Sequence, residues 1–94
     1  PYLMALIDDS IALALDFGLR DVQAMRVFLQ LRWDVAAGYF LQPRIAEGLR
    51  QHGRLGMGCW EKLSQPEWGD AWLAAHEFDE PQHWRARLWG EALQ

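Results

Sequence analysis

Three histidines, one cysteine and a few acid pairs are the side chains here able to do chemistry, and their spacing decides whether they do it. A zinc-binding helix presents two histidines four residues apart on one face, with a glutamate between them as general base. His76-Glu77 begins that pattern, but Glu80 stands where the second histidine is required. His76 and His83 share a helical face by spacing, yet Pro81 lies between them, and His52 is remote in sequence. No metal site is expected. Cys59 lies between Gly58 and Trp60, with Lys62 three residues on. A reactive thiol needs a nearby cation or a helix N-terminus. A lone cysteine more often fills a small apolar space, and that is the reading adopted. Ser10 and Ser64 read as a helix-interior residue and an N-cap. Asp8-Asp9 and Asp79-Glu80 are chain neighbours, and neighbours on a helix do not face each other, so they make poor acid/base pairs. The glycine-rich stretch from Gly53 to Gly58 lacks the Lys-Ser/Thr of a phosphate loop and follows no strand. The expectation is a chain with no catalytic, cofactor or metal site, and no enzyme activity.

The tryptophans are the other unusual chemistry. Trp60, Trp68, Trp72, Trp84 and Trp89 all lie between residues 60 and 89. Each can bury about 150–250 Å². A small helical core can use such rings as filling, but it cannot hide all of them. Exposed tryptophans are favoured interface anchors. Trp68, Trp72, Trp84 and Trp89, with Tyr39 and Phe40, are therefore the candidate partner-binding residues, and the helix-one acids a second place to look.

The elements that must position these rings are helical. Leu3, Ile7, Ile11 and Leu15 recur at helical spacing and predict a first helix over Tyr2 to Phe17. Its apolar arc is wide enough to be contacted on two sides. Gly18 ends it, with Leu19 folding back as the hydrophobic contact of the cap. Asp21 N-caps a second helix running to about Ala37. Its predicted stripe is Val22, Met25, Phe28 or Leu29, and Trp33 or Arg32, and Gly38 stops it. The short link makes the two an antiparallel hairpin. Pro43 starts a short third helix with Ile45 and Leu49 facing the core. A loop is expected over 52–58, then a helical turn at Cys59–Ser64. Ser64 and Glu67 have capping-box spacing ahead of a helix carrying Trp68, Trp72 and Ala75. A last helix carries Trp84, Leu88 and Ala92, with Trp89 and Leu93 adjacent. Nothing alternates at period two. The fold class expected is all-α: a small bundle of about five short helices, without a repeat.

Ninety-four residues make one helical domain or lobe, and the start at Pro1 reads as part of a longer chain. The net charge of −4 is spread as −3 over residues 1–19, +3 over 20–62 and −4 over 63–94. That balance disfavours nucleic acid, whose backbone demands a basic footprint. One cysteine excludes an internal disulfide framework and suits a reducing compartment. The apolar opening stretch carries Asp8 and Asp9 in its middle. It is too short and too acidic to enter a membrane, and it lacks the basic start of a signal peptide.

Residues 10–50 carry one resemblance. Phe17-Gly18, the cap at Asp21, Phe28-Leu29, Gly38, Phe40 and Ile45-Leu49 follow the cadence of a helix, an aromatic-glycine pair, a capped helix, a glycine, an aromatic and a short helix. This resembles the helical C-terminal segment of the effector chaperones, or adaptors, of bacterial type VI secretion. The resemblance implies a cytoplasmic binding lobe that packs against a preceding mixed α/β lobe. It also implies two partners, a toxic effector and the VgrG spike onto which the effector is loaded. Two other classes are compatible with the residues: an immunity protein that neutralises a toxin, and a small enzyme using Cys59 or His76.

Overall fold

A computed structural model describes residues 2–80. Within them five α-helices follow one another: α1 (Tyr2–Asp16), α2 (Val22–Asp34), α3 (Pro43–His52), α4 (Met57–Leu63) and α5 (Gly69–Ala75). Three 3-10 turns link them, at Tyr39–Leu41, Gly53–Leu55 and Pro66–Trp68. No strand occurs among the described residues, so the chain is an all-α bundle opened by a helical hairpin. The expected last helix, with Trp84, Leu88, Trp89 and Ala92, lies outside the described residues, as does His83.

The hairpin is built by its caps. Gly18 takes φ +93°, its N–H donates to the Leu15 carbonyl at 2.9 Å, and the Leu19 N–H donates to that of Ala14 at 3.0 Å. These two bonds form a Schellman cap, and Leu19 is fully buried behind it. Asp21 then accepts from the Gln23 N–H at 3.1 Å and opens α2.

Helix α1 buries a face one position away from the expected stripe. Leu6, Ser10 and Ala14 face inward with Asp9, while Ile11 is 41% exposed and Ile7 and Leu15 are half-buried. On α2 the buried residues are Ala24 with Phe28 and Arg32, the alternatives taken over Leu29 and Trp33, whereas Val22 is 65% exposed and Trp33 half exposed. Both shifts have one cause. Arg32 is held inside by three acceptors: the Asp9 carboxylate at 3.3 Å, Ser10 Oγ at 2.7 Å and the Ala37 carbonyl at 2.8 Å. Its guanidinium also sits 5.2 Å from the centre of the Phe40 ring. A buried charge is tolerated only when it is paired and hydrogen-bonded, so this ladder fixes which faces of α1 and α2 meet.

Helix α2 stops at Asp34, short of the expected Ala37. The backbone beyond it finds tertiary partners instead of helical ones. Arg32 Nε donates to the Ala37 carbonyl, the Ala37 N–H donates to Asp79 Oδ1 at 3.2 Å, and the Gly38 N–H donates to the Phe78 carbonyl at 2.9 Å. Buried backbone groups need partners, and these permit the chain to cross the core here.

The stretch expected as a loop over 52–58 is instead a 3-10 turn running into α4. Its glycines serve close approach. A Cβ at Gly53 would collide with the Phe17 carbonyl oxygen, so glycine lets α3 press on the end of α1. Ser64 does not N-cap the next helix. It ends α4, and its hydroxyl donates to the Glu61 carbonyl at 2.8 Å. Pro66 forces Gln65 into extended backbone (ψ 151°), which postpones the next helical turn until after the proline.

Around these joints lies one core. Phe28, Tyr39, Ile45, Leu49, Cys59 and Leu63 are fully buried. Phe28 stacks on Phe40 at 5.4 Å between ring centres and is tilted against Tyr39 at 5.5 Å.

Candidate partner-binding site

Helix α2 carries a second apolar row beside its core face. Val27 and Leu31 are spaced four residues apart, and Val35 follows at the same interval. Trp60 and Ser64 of α4 and Trp72 of α5 stand opposite, and together they enclose an open groove of about 380 Å³. The lining is apolar apart from Ser64, whose hydroxyl is already bonded to Glu61.

Both indoles are tethered. Trp60 Nε1 donates to the Ala24 carbonyl at 3.0 Å, and Trp72 Nε1 donates to the Leu63 carbonyl at 2.7 Å. Tyr39 stacks against Trp72 at 5.7 Å between centres, and its hydroxyl donates to the Phe28 carbonyl at 2.9 Å. The polar edge of each ring is thus satisfied inside the protein, and the groove is walled by rings held in place. The arrangement offers an apolar surface along the Val27–Leu31–Val35 row.

The residues singled out from the sequence separate in the structure. Trp72 lines the groove and Trp68 does not. Trp68 is half-buried with the Arg44 guanidinium 4.5 Å from its ring centre. Tyr39 and Phe40 are 0% and 2% exposed, so they are core rings here and not the surface rings expected of an interface. Two deep contacts explain it: the Tyr39 phenol needs its buried carbonyl acceptor, and Phe40 supplies the face against which Arg32 rests. Trp84 and Trp89 lie outside the described residues. Trp60, Val27, Leu31 and Val35 were not singled out. The four-residue spacing of the last three is the signal that could have found them, since it marks a second apolar row on a helix whose first is already committed to the core.

Burial pushes the Cys59 thiol up to about 11, so it stays protonated at neutral pH, and it is fully enclosed. Burial likewise raises the Tyr39 phenol well above its ordinary value. Burial pulls Arg32 below the usual arginine range, and Asp9 opposes that shift. The His76 ring reaches the Val35 carbonyl at 3.0 Å from an exposed position. Among the described residues no three His, Cys, Asp or Glu side chains converge to hold a metal ion. Among the same residues no helix is long and apolar enough to cross a membrane.

Comparison with protein-family models, with curated proteins and with solved structures finds no match.

A second apolar surface lies on α1. Met4 (63% exposed) and Ile11, with the half-buried Ile7 and Leu15, fall on one stripe of the helix, turned away from the Asp9–Arg32 pair.

Proposed function

We propose that this chain is a non-enzymatic, protein-binding lobe whose groove receives an apolar helical ridge from another polypeptide. The observation that carries the reading is the groove itself: an apolar row on α2 facing two indoles whose N–H groups are already bonded. Rings fixed before binding lose little conformational freedom when a partner arrives, and that favours affinity. The stripe on α1 offers a second contact, suited to a neighbouring lobe of the same protein. Two apolar faces on a small bundle fit a go-between better than a catalyst.

The cadence of residues 10–50 makes the specific form of this reading a cytoplasmic type VI adaptor. In that role the groove holds a toxic effector while it is passed to the VgrG spike, and the α1 stripe packs on the preceding α/β lobe. The test uses a purified effector and spike protein encoded beside this chain. Wild type is expected to retain the effector. Leu31→Asp should weaken retention about tenfold or more, because a charge at a desolvated anchor costs several kcal/mol. Val22→Asp, on an already exposed site outside the groove, should leave it unchanged. Neutralisation of the toxin with no contact to the spike would assign the chain to the immunity class instead.

A further inference from the structure

We propose that the chain docks on a second copy of itself, the outward stripe of α1 in one copy seating on an arginine-edged apolar patch where α2 and α4 begin in the other. The α2 groove takes no part in this contact, which does not depend on the partner-binding reading above. A neighbouring lobe docked on the α1 stripe would exclude the second copy.

Two chain segments meet at the patch. A Cβ on Gly56 would stand 3.2 Å from that of Asp21, so the joint before α4 lies directly against the N-cap of α2. Each segment carries exposed apolar side chains there: Val22 on one, Leu55 and Met57 on the other. Each also carries an exposed arginine, Arg20 before Asp21 and Arg54 before Leu55. Arg26, likewise exposed, follows Val22 by four residues and so shares its face of α2. Among the described residues none of these three arginines forms an ion pair. The acids of the two segments are Asp21, which accepts the Gln23 N–H, and Glu61, one turn beyond Met57. Exposed apolar side chains beside unpaired guanidiniums suit a surface that brings both apolar contact and a carboxylate.

Helix α1 has that surface. At 3.6 residues per turn, Met4, Ile11 and Leu15 fall within about 40° of one another, and Asp8 lies about 20° beyond Leu15. Met4, Asp8 and Ile11 are exposed and Leu15 is half-buried. Asp9 is turned inward to Arg32, so Asp8 is the carboxylate that this stripe presents. The stripe belongs to a region of net charge −3, residues 1–19, and the patch to one of +3, residues 20–62. Opposite signs steer the encounter and reject copies that meet like to like. Two different surfaces meeting head to tail build an open chain of copies, not a closed pair. Few side chains take part, which places the contact among the weak, transient interfaces, so it forms at high protein concentration.

Sedimentation of the unaltered protein, from micromolar to millimolar concentration, is the first measurement. The average mass is expected to rise steadily above 10.9 kDa and to fall back as salt is raised. Asp8→Arg, and separately Arg26→Glu with Arg54→Glu, should each weaken association about tenfold or more, since like charges then meet. All three positions are exposed, so the helical circular dichroism should be unchanged. Mixing the two variants in equal amounts should restore association, because every junction again pairs opposite charges. Leu31→Asp, in the groove, should associate as wild type does. A protein that stays monomeric throughout the range overturns the proposal. So does association that survives both charge reversals, or that mixing does not restore. Loss of association in Leu31→Asp overturns it too and moves the contact to the groove. Failure to retain effector sinks the partner-binding reading alone, because the self-contact is read from mass and not from retention.

Discussion

Arg32 shows what a single residue decides in this bundle. A guanidinium with 1% exposure on an otherwise apolar face is costly unless every donor is answered. Here Asp9, Ser10 and the Ala37 carbonyl answer it, although Asp9 Oδ1 has no hydrogen-bond partner. Arg32→Ala would strand a buried carboxylate, and a loss of about 3–5 kcal/mol in urea unfolding is the expected outcome. Replacing both partners with apolar residues, as in Asp9→Leu with Arg32→Met, should recover most of that loss, since desolvation of both charges disappears together. A double variant as unstable as the single one would show that the pair contributes more than mutual neutralisation. Cys59 carries a pH prediction. Its thiol is raised from 9.0 to about 11 by burial, so the folded state holds the proton more tightly than the unfolded chain. The contribution is fully present below pH 9 and is lost as pH rises from 9 through 11. Cys59→Ala should lessen the fall in stability across that window, leaving the part due to the buried Tyr39 phenol, as followed by unfolding at a series of pH values. The buried pair was hidden in the sequence because Asp9 and Arg32 are far apart along the chain: Arg32 fell on one candidate stripe of its helix, but nothing local named Asp9 as its partner.

At the scale of elements, the caps were the most legible feature. Gly18, Asp21 and Pro43 each do what their chemistry requires locally, so neighbours in sequence suffice to read them. Gly18→Ala should cost about 1 kcal/mol or more, because a Cβ opposes φ +93° even though it would make only ordinary contacts with Arg54 and Gly53. Asp21→Ala should cost about 1 kcal/mol through loss of the first-turn acceptor. Both are read as shifts of the denaturant midpoint. The helix ends that went unread have a different origin. Past Asp34 the Val35 amide still bonds the Leu31 carbonyl, but those of Ala37 and Gly38 go to Asp79 and Phe78, far along the chain. Ser64 had the right type and spacing for an N-cap, but the turn it closes belongs to the preceding helix, and Pro66 delays the following one. Local chemistry proposes such ends, and long-range hydrogen bonds choose among them.

For the whole molecule, the groove on α2 is the feature that joins structure to function, and Leu31 is its test. Leu31→Asp should leave the helical circular dichroism intact, because Leu31 is only partly buried, while weakening effector retention. Phe28→Ala, one turn away on the core face, should instead cost about 3–5 kcal/mol and damage the fold itself. The contrast separates a binding row from a core row on one helix. The sequence by itself determined the all-α class, the opening hairpin, its caps and the surplus of apolar surface. Period, capping chemistry and composition are local or additive, and they survive without knowing what touches what. Only the tertiary structure decided which row of each helix turned inward, that Tyr39 and Phe40 are core, and that Trp60 and Trp72 face Val27 and Leu31 across a groove. Each helix offers more than one apolar row, and rows of similar hydrophobicity are nearly equivalent until a buried charge such as Arg32 finds its partners and selects one.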